Sequence, residues 1–418
     1  VPRQSEGALA ASRRLTSALL ALIRTNQADT RADLAVITGL SRTNIAERVG
    51  ALIDAGVVVE AGPGRSSGGR APSRLALNPD AGRVVAVDLG NREGRVAVTD
   101  MDGRVLARTV IEGGVARDPD STLDRVAEAA STLLKGPLSE APLVGAGLGF
   151  PGPVQLPGGR PVSPAGLLQW DGFPLAEALG KRLGTEAWAD NEANLTTLGE
   201  LRRGRARGAQ DVVLVKLGRG IGAGVVSRGT LHRGHLGGAG DIAHIPVAAE
   251  RPRSCSCGRT SCLVTIAGGS GLARTARDLA RTGRSAVLRE IAGGRDLTGA
   301  DLTDAAREGD AAAVAALREA AEHLGHVLAP VVNMLNPELV LLAGPVMAAE
   351  DFLLPFVRQV VYAESTPLTT RALRIERSDP AGNFGLVGAA LTVIDELLSP
   401  ERLHEWPSGS IWSTRPGS

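Results

Sequence analysis

The 418-residue chain predicts two folds in series: a winged helix-turn-helix over residues 1–80, then a two-lobed α/β domain built by duplication. Three observations predict this. Three runs of helical apolar period and two short β runs fill the first eighty residues. A strand–turn–strand stretch at residues 83–105 recurs at 211–229 without a gap. All three cysteines fall in the stretch "CSCGRTSC", the mark of a local loop with its own chemistry.

In the head, Leu15, Ala18, Leu19, Leu22 and Ile23 share one face of a first helix expected over Leu15–Thr25. Thr30, with Asp33 three residues on, caps a second helix that ends near Gly39. Ser41 caps a third, running to about Ala55. Ile45, Val49, Leu52 and Ile53 form its buried face, leaving Arg42, Thr43, Asn44, Glu47 and Arg48 on the other. The β runs Val57–Glu60 and Leu75–Leu77 follow, joined by "AGPGRSSGGRAPS".

A capped helix that opens with Arg, Thr and Asn suits base reading, because Asn pairs with adenine and Arg with guanine edges. The expected DNA contacts are Ser41, Arg42, Thr43, Asn44 and Arg48 from this helix. Arg65, Gly68, Gly69 and Arg70 are expected from the wing, where glycines let backbone approach a groove. Ten Arg against seven acidic residues over 1–80 leave a balance of +3, the sign DNA requires. The alternative for such a unit is a small helical bundle that mediates protein contacts.

After Pro79, strands alternate with helices. Val84, Val85, Val87, Leu89, Gly90, Gly94 and Val98 match Val212, Val213, Val215, Leu217, Gly218, Gly222 and Val226. Such a repeat predicts two related lobes with a cleft between them, each hairpin turn pointing into it. The expected division is 81–190 and 191–400, with the last helix crossing back to the first lobe, and 401–418 as a tail. Trp170 and Phe173 are expected in the core.

Composition bounds the partners. Apolar residues make up 43 % and aromatics 2 %, so the cores must be aliphatic. The net charge of +1 points to no polyanionic partner for the chain as a whole. No apolar run reaches the roughly 18–20 residues of a membrane span, and no signal peptide is evident, so a cytoplasmic protein without membrane contact is expected.

His244, Cys255, Cys257 and Cys262 together offer one imidazole and three thiolates, a tetrahedral set for Zn²⁺. Four protein ligands close the site, so such a zinc would be structural. His232 and His235 lie near enough in sequence to compete for the imidazole position. A redox role for unligated thiols is the other reading.

At this point the chain resembles the ROK family (repressors, open reading frames and sugar kinases) from Leu15 to about Leu398. The wing "SSGGRAPS" and the motifs "GLGFPGPV", "DNEANLTTLGE", "KLGRGIGAGVV", "GDIAHIPV" and "CSCGRTSC" are similar to the family's, in its order. The resemblance implies an actin/hexokinase-like fold of ribonuclease H-like duplicated lobes and a zinc on His244 and the three cysteines. It also implies a sugar-type ligand and self-association, as a homodimer or dimer of dimers.

The chain departs from the kinase pattern at several places. The first phosphate turn, usually Asp-x-Gly-Gly-Thr, reads Asp88-Leu89-Gly90-Asn91-Arg92-Glu93, and Arg219 stands in the second. Glu192 occupies the position of the catalytic Asp, one methylene longer. Asp190 precedes the Asn and reads as a helix-start residue. Asp241 shortens one hydroxyl acceptor, Val264 replaces another carboxylate, and Pro345 enters the adenosine-side turn.

The expectation is therefore a transcriptional repressor without catalytic residues. It would bind operator DNA, palindromic for a dimer, and take a sugar or sugar derivative on Asn191, Glu192, Asp241 and His244. Two alternatives stay open: a DNA-binding protein with a decayed ligand site, and an active sugar kinase with Glu192 as base.

Overall fold

A computed structural model describes residues 6–63, 72–116, 118–162, 166–249, 252–400 and 402. The head is α1 (Glu6–Arg24), α2 (Arg31–Thr38), α3 (Arg42–Asp54) and an antiparallel pair, β1 (Val58–Pro63) and β2 (Ser73–Leu77). The Thr30 hydroxyl accepts from the Asp33 amide at 3.1 Å and donates to its carboxylate at 2.6 Å, closing the first turn of α2. Gly39, at φ +69°, ends that helix in the left-handed conformation its position requires. The Ser41 hydroxyl caps α3 on the Asn44 amide. Leu19, Leu20, Ile23, Leu34, Ile45, Val49 and Leu52 are buried between the helices, and Ile53 lies half-buried at the edge. α1 starts well before the expected Leu15, because the helical period weakens there while nothing in the sequence breaks the helix.

The first lobe holds β3 (Arg83–Leu89), β4 (Glu93–Thr99), β5 (Val105–Glu112), β6 (Leu143–Phe150), the short pair β7 (Val154–Gln155) and β8 (Arg160–Pro161), and β9 (Ala187–Asn191). Its sheet order is β5-β4-β3-β6-β9. The second lobe holds β10 (Val212–Leu217), β11 (Ile221–Ser227), β12 (Thr230–His232), β13 (Leu339–Ala343) and β14 (Arg374–Arg377), ordered β12-β11-β10-β13-β14. Each sheet is thus an antiparallel meander extended by two parallel strands. The repeated stretch forms the first hairpin of each.

Both faces of the sheets are covered, which is why the central strands read as continuous apolar runs. In β3, Val85, Val87 and Leu89 pack under α4 (Pro119–Leu133) and α5 (Leu175–Leu183). Val84 and Ala86 face the opposite side, with α6 (Glu192–Arg203) and the last helix. The second sheet is covered by α7 (Val264–Ala267), α8 (Gly269–Arg281), α9 (Ala286–Ala292), α10 (Gly299–Arg307), α11 (Ala311–Leu335) and α12 (Glu350–Glu364), and the short α13 (Pro367–Thr370) lies against α11.

The last helix, α14 (Phe384–Leu397), leaves the second lobe and packs on β3, β6 and α6. Its core residues Leu391 and Ile394, with Leu398 just beyond its end, join Leu19, Leu20 and Ile23 of α1 in one buried cluster. The head therefore shares a core with the first lobe, and the change of texture near residue 80 is not a break in packing. Trp170 is fully buried against Phe150 and Phe173 and donates its indole N–H to the Val115 carbonyl. Among the described residues no helix is long and apolar enough to cross a membrane.

Candidate functional site

The two hairpin turns, at Gly90–Glu93 and Gly218–Arg219, face a cavity of about 610 Å³ together with Asp88, Lys216 and Gly344. A second cavity of about 490 Å³ is lined by Gly152, Asn191, Asp241, His244 and Val264. The two share Asn91, Pro151, Glu192 and Arg219, so they form one cleft with Glu192 at its waist.

Local geometry assigns distinct roles to the "DNEAN" residues. Asn191, not Asp190, caps α6: its Oδ1 accepts from the Ala193 amide at 2.8 Å. Its Nδ2 donates to the Gly152 carbonyl at 2.7 Å, leaving one N–H and one lone pair for a ligand. Asp190 is 2 % exposed and lines neither cavity. It pairs with Arg233 at 2.7 Å and accepts from Asn194 Nδ2 and the Asn191 amide. The expected helix-start role of Asp190 is corrected by this ion pair: a buried carboxylate needs a full set of partners, and Arg233 supplies the charge.

Glu192 opens α6 with its Oε2 2.7 Å from Lys216 Nζ, which also lies 3.4 Å from Asp88 Oδ1. The two carboxylates around one ammonium hold Lys216 charged: burial pushes its pKa down, but Asp88 and Glu192 together raise it. Burial pushes Glu192 up, the Lys216 charge opposes that, and Asp88 adds to it. Sequence reasoning missed Lys216. Its signal was a lysine inside the apolar strand "VVLVKL", in a chain where Lys135 and Lys181 are the only others. Arg92 and Arg219 stand exposed at the hairpin tips. Asp241 is exposed on the wall of the second cavity, and Val264 presents an apolar surface there.

The ligand atoms of His244, Cys255, Cys257 and Cys262 all lie within 4.8 Å of one another. Cys255 Sγ is 3.5 Å from His244 Nδ1, and Cys257 Sγ is 3.7 Å from Cys262 Sγ. Sulfur and nitrogen ligands on a tetrahedral zinc stand about 3.5–3.8 Å apart, so the residues fit that ion. A knuckle builds the site: Cys255 N donates to the Arg259 carbonyl at 2.9 Å, and Gly258 turns the chain at φ +86°. His232 and His235 are exposed and outside the cluster. Burial and the neighbouring sulfurs push the Cys262 thiol up to about 12, a site that needs a cation before all its sulfurs ionise.

In the head, Ser41, Arg42 and Thr43 are exposed at the start of α3. Arg48 differs from expectation. Its Nε donates to Asn44 Oδ1 at 2.7 Å, and its NH1 donates to the Ser12 carbonyl and to the Ser12 and Thr16 hydroxyls, each at 3.1 Å. Arg48 and Asn44 are therefore half-buried parts of the α1–α3 joint, because Arg48 lies on the flank of α3 that meets α1. Arg65, Gly68, Gly69 and Arg70 lie outside the described residues.

A model of the ROK family matches residues 84–396. The xylose repressor of Caldicellulosiruptor bescii is 28 % identical over 91 % of this chain and 95 % of its own length. The glucokinase of Halalkalibacterium halodurans is 30 % identical over 77 % of this chain and 98 % of its own. The repressor's aligned share is too large to fit beyond residue 80 and so extends into the head, whereas the kinase matches a smaller share. In fold, the chain is like a ROK transcriptional regulator homologous to the Escherichia coli Mlc protein: TM-score 0.79, 23 % identity, covering 95 % of this chain and 98 % of that one. It is also like a Streptomyces griseus ROK glucokinase solved with glucose and AMPPNP: TM-score 0.65, 26 % identity, covering 74 % and 99 %. With its duplicated actin/hexokinase-like lobes, the chain belongs to the ROK family.

Proposed function

We propose that this protein is a DNA-binding transcriptional repressor whose ROK domain senses a sugar or sugar derivative and does not phosphorylate it. The observation that carries the second half is the Lys216 ammonium seated between Glu192 and Asp88. A kinase base must be free to take a hydroxyl proton, beside a turn that cradles phosphate. Here the carboxylate in the base position is ion-paired, and Arg92 and Glu93 fill the turn.

On this reading the head, residues 1–80, is a winged helix-turn-helix. Arg42 and Thr43, exposed at the start of α3, support its use on DNA, with the wing residues Arg65, Gly68, Gly69 and Arg70 as further contacts. Ser41 serves by placing that first turn. A homodimer or dimer of dimers would present two heads to a palindromic operator in the cytoplasm. Residues 81–190 and 191–400 are the lobes and 401–418 a tail. A structural zinc on His244, Cys255, Cys257 and Cys262 would fix the loop that walls the second cavity. With His244 Nδ1 turned to the sulfurs, its Nε2 remains for a ligand hydroxyl, beside Asn191, Glu192 and Asp241.

One observation favours the kinase reading: the upward push on Glu192 suits a general base. A coupled assay with MgATP and glucose, xylose or N-acetylglucosamine decides between them. No sugar-dependent ATP turnover is expected; turnover that vanishes in Glu192→Gln would replace the repressor-sensor with an enzyme.

A further inference from the structure

The cleft and the head meet on a single carboxylate. α6 starts in the cleft with Glu192, runs 12 residues, and places Arg202 in its last turn. That is a rod of about 18 Å. Arg202 NH2 lies 3.7 Å from Asp395 Oδ1 on α14. The same oxygen is contacted by Arg24, the last residue of α1 in the head. The Arg24 side chain is 10 % exposed, and its Nε and NH1 have no hydrogen-bond partner. Two guanidiniums thus share one carboxylate in a partly buried joint, where its single negative charge balances only one of them. Beside it the Ser17 hydroxyl donates to the Leu398 carbonyl at 2.9 Å, a second tie between α1 and the end of α14.

The rod has little slack. A Cβ at Gly199 would lie 2.1 Å from the Phe384 carbonyl oxygen, and one at Gly388 would lie 1.8 Å from that of Leu195. α6 and α14 therefore touch backbone to backbone at two places in mid-helix, so a displacement at the start of α6 pivots about these contacts and is felt at its far end. Leu195 and Leu198 of α6 sit in the same buried cluster as Leu19, Leu20 and Ile23 of α1.

We propose that Asp395 is the joint by which the cleft addresses the head: what pairs with Glu192 sets the position of α6, and Arg202 at its far end competes with Arg24 for Asp395, so setting how α1 is held. This regulation rests on the reading of the cleft as an effector site. Arg202, Asp395 and Arg24 line neither cavity and act as positioning residues. A ligand group that draws Glu192 away from Lys216 displaces the start of α6, and the loss or gain of the Arg202 contact appears in α1.

The test is hydrogen exchange by mass spectrometry on the full chain without sugar or DNA, so that the relay is judged apart from sensing. Glu192→Gln keeps the shape and removes the charge that Lys216 holds. It is expected to change exchange in peptides covering α1 by about threefold or more, and that change is expected to fall below about twofold in an Arg202→Met background. Arg202→Lys should restore it, and Asp395→Asn, which keeps the side-chain size, should uncouple as Arg202→Met does. If Glu192→Gln alters α1 equally with and without Arg202, or alters the first turn of α6 and leaves α1 unchanged, the relay is wrong. In parallel, exchange in the wild-type protein is measured with glucose, xylose and N-acetylglucosamine. Silence there counts against sensing, while the relay stands or falls on the variants alone.

Discussion

Replacing Lys216 by methionine removes the cation between Asp88 and Glu192 and fills nearly the same volume, so the cost is electrostatic rather than a cavity. The Lys216 and Asp88 side chains are each 15 % exposed and Glu192 is 23 % exposed. Breaking a fully buried pair costs about 3–5 kcal/mol; the residual exposure reduces this to about 2–3 kcal/mol. The sign with pH follows from the carboxylates left behind. Burial already pushes the Glu192 carboxyl up against the opposing Lys216 charge, so without that charge its folded-state pKa stands further above the unfolded one. The contribution of Glu192 is intact below its unfolded value and is lost as pH rises through the folded one, so the variant is weak at neutral pH and recovers on acidification. Urea unfolding of Lys216→Met should show a midpoint lower by about 1 M at pH 7.5, with the gap to wild type narrowing by pH 5. An equal deficit at both pH values, or none, would mean that the ammonium does not neutralise these carboxylates, and the case for an occupied base position would fall with it.

Other outcomes follow from the remaining sites. Arg42→Ala should weaken binding to operator-containing DNA by about tenfold and lessen its salt slope by about one. Arg48→Ala should instead lower thermal stability through the lost α1–α3 joint, and a normal melting curve with lost DNA binding would return Arg48 to the interface. Metal analysis of the purified protein should give close to one zinc per chain, and Cys255→Ser should lower both zinc content and melting temperature. Asp301, held at about 2 first by Arg295 and then by Thr298, contributes stability that is present above pH 3.8 and lost as pH falls through about 2. Asp301→Asn should therefore cost about 1–2 kcal/mol at pH 7, with the gap to wild type closing between about pH 4 and 2 in acid unfolding.

The parts of this molecule that were legible in the sequence are those whose determinants are local. The Thr30 and Ser41 caps, Gly39 and the apolar period of α3 lie within a turn of the backbone they control, so a window of residues suffices. The duplicated hairpin was visible because each copy carries its own buried strand and glycines at fixed offsets. The metal cluster was visible because three of its ligands lie within one knuckle, and the structure brings His244 rather than His232 or His235 to it. What was hidden depends on approach across the fold. Arg48 reads as a solvent-facing residue until α1 is laid across it. Asp190 reads as a cap until Arg233 reaches it from beyond β12. Lys216 and Asp88 come from corresponding strands of the two lobes, and only closure of the lobes makes them a pair.

On the proposed reading, that cross-lobe pairing is how a kinase-like scaffold would serve signalling. In an enzyme of this fold, binding energy in the cleft positions a hydroxyl, a base and a phosphoryl group. In this chain a resident ammonium links Asp88 of the first sheet to Glu192 and the second sheet. A ligand that offers hydroxyls to Glu192 exchanges one set of charge-assisted bonds for another, and the net difference is small. Small is sufficient: a hundredfold change in DNA affinity needs a coupling free energy of about 2.7 kcal/mol. One or two hydrogen bonds to an ionised carboxylate, at about 1.5–3 kcal/mol each, span that range. If the cleft is an effector site, the contact that matters for regulation is therefore the one at the first residue of α6, because it sits at the cleft-facing end of the helix whose other end reaches Asp395 and the head.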